Sequence, residues 1–109
     1  HIGDRRQRQM CIRDSQGAIA DYNKSIEINP RYSDAYESRG NSKSNLGDYQ
    51  GAIADYNKAL KINPQNTSVY VNRGIVRELM NDLQGACDDW RKAAELGLEQ
   101  PAEWVKEQC

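Results

Sequence analysis

Residues 16–30, QGAIADYNKSIEINP, return at 50–64 as QGAIADYNKALKINP, identical at 12 of 15 positions and offset by 34 residues. The offset runs on through the chain. Arg39 recurs as Arg73, Gly40 as Gly74, Pro30 as Pro64, and Gly17-Ala18 as Gly51-Ala52 and Gly85-Ala86. A fixed period of this length means one supersecondary unit, copied and stacked so that each copy buries the face its neighbour leaves open. A stack presents a groove rather than a closed reaction pocket, which biases function toward binding other proteins.

Within residues 31–64, Ala35, Tyr36, Arg39, Gly40, Lys43 and Leu46 follow i, i+3, i+4 spacing and predict a helix. Gly47 breaks it, and Asp48 is suited to cap the next one. Ala52, Ile53, Tyr56, Ala59 and Leu60 carry the same spacing through a second helix. Asn63-Pro64 ends it, because a residue before proline is pushed out of helical geometry. The unit is therefore helix, turn, helix, proline stop, with Gly40 and Ala52 small where helices approach closely.

These residues resemble the tetratricopeptide repeat family, of bacterial type. The resemblance rests on Tyr36, Gly40, Leu46, Gly47, Tyr49, Ala52, Tyr56, Ala59 and Pro64, and in the next copy on Tyr70, Gly74, Met80, Leu83, Ala86, Trp90, Ala93 and Ala94. It implies an all-α fold, a right-handed superhelical solenoid of antiparallel helix pairs. Lys43 and Arg77 depart from the pattern where the family usually has a large aromatic, and their long stems can cover the same surface.

The organisation read from the repeat is a second helix of a truncated repeat at 16–30, full repeats at 31–64 and 65–98, and a capping helix at 101–109. That is about two and a half repeats plus a cap. Pro101 suits a first helical turn, and Trp104 keeps register with Tyr36 and Tyr70. Trp104 and Val105 should face inward, with Glu103, Lys106, Glu107 and Gln108 in solvent and Cys109 at or near the natural C-terminus. The leader, residues 1–15, has no counterpart in the repeat. RRQRQMCIRDS is the translation of one frame of a transposase sequencing adapter. Residues 1–14 thus read as translated adapter with Ser15 at the junction, against the alternatives of a linker or a basic arm. On this reading the chain is the C-terminal piece of a longer repeat protein. With α-helical cover missing from Ala18, Ile19, Tyr22 and Ile26, it should be weakly stable or self-associate through its N-terminal helix face.

Charge and composition narrow the function. The net charge is −1, and residues 1–15 hold four Arg and two Asp, so residues 16–109 carry −3. Nucleic-acid binding calls for a basic face and is disfavoured. No apolar run reaches membrane-spanning length. Neither a cytoplasmic nor a periplasmic location is selected. The single histidine, His1, lies in the leader, and the sequence offers no metal-ligand pair, phosphate loop, catalytic constellation or cofactor motif. Asp21, Asp55 and Asp88-Asp89 read as surface charge, or as exposed pairs with Arg39 and Arg73 across the stack worth under about 1 kcal/mol each.

Cys87 takes the place of Ile19 and Ile53, so it reads first as a small core residue. Cys87 and Cys109 are roughly equidistant from the turn near Leu98, on helices expected to be antiparallel. A disulfide between them is feasible. Its loop of about 23 residues is worth roughly 3 kcal/mol in the chain-entropy model.

In the family, the first helix of each pair lines the concave surface. The resemblance therefore places Asp34, Glu37, Ser38, Asn41, Ser44 and Asn45 there, and from the next copy Ser68, Val71, Asn72, Ile75, Glu78 and Leu79. Asn41 and Asn72 match asparagines that some members use on a peptide's terminal carboxylate. Glu37 stands where that clamp needs a lysine and Ala102 replaces another, while Lys106 matches a remaining basic position. The expected function is a non-catalytic scaffold holding an extended or helical partner segment. The alternative is a docking arm of an enzyme whose catalytic domain lies upstream.

Overall fold

The computed structural model describes residues 16–109; the leader lies outside the described residues. Six helices follow in order: α1 (16–28), α2 (Ser33–Asn45), α3 (Tyr49–Ile62), α4 (Thr67–Leu79), α5 (Leu83–Glu95) and α6 (Glu99–Gln108). No strand occurs among the described residues. The capping helix thus begins two residues before the expected 101, with Pro101 inside its first turn.

Two kinds of turn join the helices, and each has a local cause. After α2 the chain enters the left-handed region at Gly47 (φ 84°). Gly47 N–H then donates to Ser44 O at 3.0 Å and Asp48 N–H to Lys43 O at 2.9 Å. This is a Schellman stop, for which glycine has no steric penalty. Asn81 (φ 64°) and Gly97 (φ 110°) repeat it after α4 and α5. Asp48 and Asp82 then cap the following helices, each accepting at 3.0 Å from the backbone N–H of Gly51 and Gly85. After α1 and α3 the stop is Asn-Pro. Asn29 and Asn63 accept side-chain bonds at 3.2 Å from the N–H two residues on.

The helices stack as α2 on α3, α3 on α4, α4 on α5 and α5 on α6. Tyr36, Ala52, Tyr56, Ala59, Leu60, Val69 and Val76 form the central core, with Ile26 of α1 packed against it. The two interhelical glycines have a steric reason. A Cβ on Gly40 would lie 2.8 Å from Tyr56 Cε1, and one on Gly74 would lie 2.5 Å from Trp90 Nε1. Trp90 and Trp104 meet edge-on with centroids 5.3 Å apart, which docks α6 on α5. Cys87 Sγ is bonded to Cys109 Sγ, with Cα atoms 6.1 Å apart, tying the end of α6 to α5.

The reading of Asp55 and Asp89 as exposed charge is wrong. They are 4% and 2% exposed. Arg39 donates through Nε and Nη2 to both oxygens of Asp55, at 2.8 and 2.6 Å, and Lys43 Nζ lies 3.2 Å away. Arg73 and Arg77 treat Asp89 in the same way, at 2.6–3.0 Å. The pairs lie within a repeat, between its two helices, rather than across the stack. The link across the stack comes from the remaining nitrogen: Arg39 Nη1 donates to Asn23 Oδ1 and Arg73 Nη1 to Asn57 Oδ1, at 2.9 and 2.8 Å. One guanidinium therefore bolts three helices together. Lys43 and Arg77 each give the buried carboxylate a second cation.

Candidate functional site

The candidate groove has walls from α2 and α4 and a floor from α3. Between them Asn41, Ser44, Asn45, Tyr56, Asn72, Ile75 and Val76 line an open cleft of about 190 Å³. Tyr56 comes up from α3 and donates its hydroxyl proton to Asn41 Oδ1. Asn72 Nδ2 donates to the same oxygen at 3.2 Å. Asn41 Oδ1 thus accepts twice, while Asn41 Nδ2 as donor and Asn72 Oδ1 as acceptor are left without a hydrogen bond among the described residues. A peptide backbone offers the complementary pair. Burial, followed by the nearby carboxylates of Glu37 and Asp55, raises the Tyr56 pKa above its ordinary value, so the phenol stays a donor.

One turn before Asn41, Glu37 is half-buried. Its two oxygens accept from Asn66 Nδ2 at 3.3 Å and Ser68 Oγ at 2.6 Å. Glu37 and Ser68 therefore meet at the rim instead of lining the cleft. Ser38, half-buried, is also outside it, and so is exposed Lys106. Of the twelve residues expected on the concave surface, Asn41, Ser44, Asn45, Asn72 and Ile75 share the cleft.

A second cleft of about 240 Å³ opens between α4 and α6, lined by Ile75, Glu78, Trp90, Trp104 and Gln108. Its residues stand largely 34 positions beyond those of the first: Ile75 replaces Asn41, Glu78 replaces Ser44, and Trp90 replaces Tyr56. With Ile75 where an amide stood, Trp90 Nε1 is buried without a hydrogen-bond partner. Reading the sequence turned Trp104 inward and missed its part in this cleft. The signal available was the 34-residue correspondence itself.

No group of three or more His, Cys, Asp and Glu side chains among the described residues is arranged to hold a metal ion. Among them, no helix is long and apolar enough to cross a membrane.

Comparison with known proteins agrees with this geometry. The sequence model of the tetratricopeptide repeat matches residues 33–66. No curated protein matches significantly. Among solved structures, the first such domain of Spaghetti (RPAP3), bound to the HSP90 peptide SRMEEVD, superposes with a TM-score of 0.80 at 23% identity, covering 86% of this chain and 76% of that one. The Arabidopsis OM64 domain gives 0.81 at 26% identity, covering 87% and 79%. MamA gives 0.75 at 29% identity, covering 83% of this chain but 52% of its own. Residues 33–66 are thus recognised as a tetratricopeptide repeat, and the chain has the all-α tetratricopeptide-repeat fold.

Proposed function

We propose that this chain is a non-catalytic protein-interaction module that holds an extended segment of a partner protein in its concave groove. The observation that carries the reading is the coupled amide pair. Asn41 and Asn72 come from different repeats, share one oxygen, and leave a donor and an acceptor side by side on an open surface. An RPAP3 domain of the same fold is bound to an HSP90 peptide. Here Glu37 occupies the rim above the amides, which argues against gripping a terminal carboxylate and for gripping internal backbone.

Panning the full chain against a displayed library of random dodecapeptides supplies ligands for the test. Asn72→Ala should weaken a selected peptide by roughly 1 kcal/mol or more while leaving the thermal melt in place. Unchanged affinity would remove the amide pair from the site.

A further inference from the structure

The concave rows of the two repeats differ in character at equivalent positions. On α2 the row is Glu37, Asn41, Asn45. On α4 it is Val71, Ile75, Leu79, in the same register 34 residues later. Ile75 and Leu79 are 37% and 54% exposed, an aliphatic stripe at i, i+4 beside the polar cleft. Glu78 adjoins it and lines the α4–α6 cleft with Trp104.

Neither Glu37, at the rim of the first cleft, nor Glu78, in the second, has an ion-pair partner among the described residues. Glu37 is satisfied by neutral donors alone. Lys106 is the cation on the α6 row; it is exposed and pairs with neither. Asp34, also exposed, adds a further carboxylate at the start of α2.

We propose that the groove selects a basic, aliphatic-rich partner segment, with a lysine or arginine seated at Glu78 against Trp104 and aliphatic side chains along Val71, Ile75 and Leu79. The inference rests on the groove reading above and specifies its ligand. Unpaired carboxylates on a concave surface favour a cation and repel a carboxylate. An indole wall beside the carboxylate adds attraction for the same charge. The exposed stripe gives aliphatic side chains a surface to leave water on. This preference is opposite in sign to the acidic stretch of SRMEEVD.

The dodecapeptides selected by the full chain should be enriched in Lys or Arg together with Leu, Ile, Val or Met. SRMEEVD, used as a probe, should bind more weakly than they do. Glu78→Lys should weaken a selected basic peptide about tenfold by reversing the groove charge, and raised salt should weaken the wild-type complex. Leu79→Asn, which restores the α2 residue, should weaken it several-fold. Both side chains are exposed, and helicity by circular dichroism checks that the variants fold. Selection of acidic or charge-neutral peptides, tighter binding of SRMEEVD, or an unchanged affinity in Glu78→Lys would overturn the proposal. If Asn72→Ala weakens binding while Glu78→Lys does not, the groove stands and its cation preference falls. If nothing binds, or Asn72→Ala has no effect on what binds, the groove reading falls and takes this one with it.

Discussion

Repeat 31–64 and repeat 65–98 differ in an orderly way. Positions that join helices are kept: Arg39 and Arg73, Gly40 and Gly74, Ala52 and Ala86, Asp55 and Asp89, and the caps Asp48 and Asp82. Positions on the concave row are changed: Glu37 to Val71, Asn41 to Ile75, Ser44 to Glu78, Asn45 to Leu79. One chain thus separates architecture from recognition. The kept residues named here join or cap helices, and the changed ones lie on one row of α2 and its counterpart on α4. Tyr56 to Trp90 is a change at a buried position that also lines a cleft. There the loss of Asn41's counterpart leaves a buried indole N–H unpaired.

The largest expected effect would break the architectural half of this contrast. Asp89→Ala should destabilise by roughly 3 kcal/mol, since it leaves Arg73 and Arg77 facing a site built for a carboxylate. Asp55→Ala should cost a similar amount in urea unfolding. A loss under about 1 kcal/mol at both would return these pairs to ordinary surface bridges. Next comes the end of the stack. Reducing the Cys87–Cys109 disulfide, which spans a sequence separation of 22, should lower stability by up to about 3 kcal/mol. Equal melts with and without reductant would show that α6 holds through Trp104 alone.

A smaller effect distinguishes the two glycines. Gly74→Ala meets the ring and Nε1 of Trp90 at 2.5–2.7 Å, and Gly40→Ala meets Tyr56 at 2.8–3.0 Å. Crowding a packed interface costs about 1–3 kcal/mol, less the helix propensity that alanine regains. Gly74→Ala should be the worse of the two, and the reverse order would place Trp90 differently. The smallest effect is confined to alkaline solution. The folded-state pKa of Tyr56 is raised, so its contribution is complete below the ordinary tyrosine value near 10 and is lost as pH climbs through the folded value. Tyr56→Phe should therefore flatten part of the stability decline above about pH 10. An identical decline in the variant would assign it to other tyrosines.

Much of this was legible because it is local. Helix spacing, the Asp48 cap and the Asn-Pro stop are properties of a few neighbouring residues, and the 34-residue period announced the stacking. The family resemblance placed Asn41 and Asn72 on one surface, and both line the cleft between α2 and α4. Asp55 and Asp89 were misjudged for a physical reason. A carboxylate on an amphipathic helix belongs in water unless a partner is brought to it, and the partners stand 16 and 12 residues away on another helix. The repeated Arg, Asp and Asn at constant spacing was the available signal.

The sequence by itself determined the unit, its caps and its copies, since helix periodicity and turn chemistry act over one or two turns. Tertiary structure alone decided which charges were buried. It also set which amide oxygen Tyr56 and Asn72 share, and left Glu37 and Glu78 without cations among the described residues. Those outcomes depend on distances between helices, and a helix does not carry the address of the side chain that will face it.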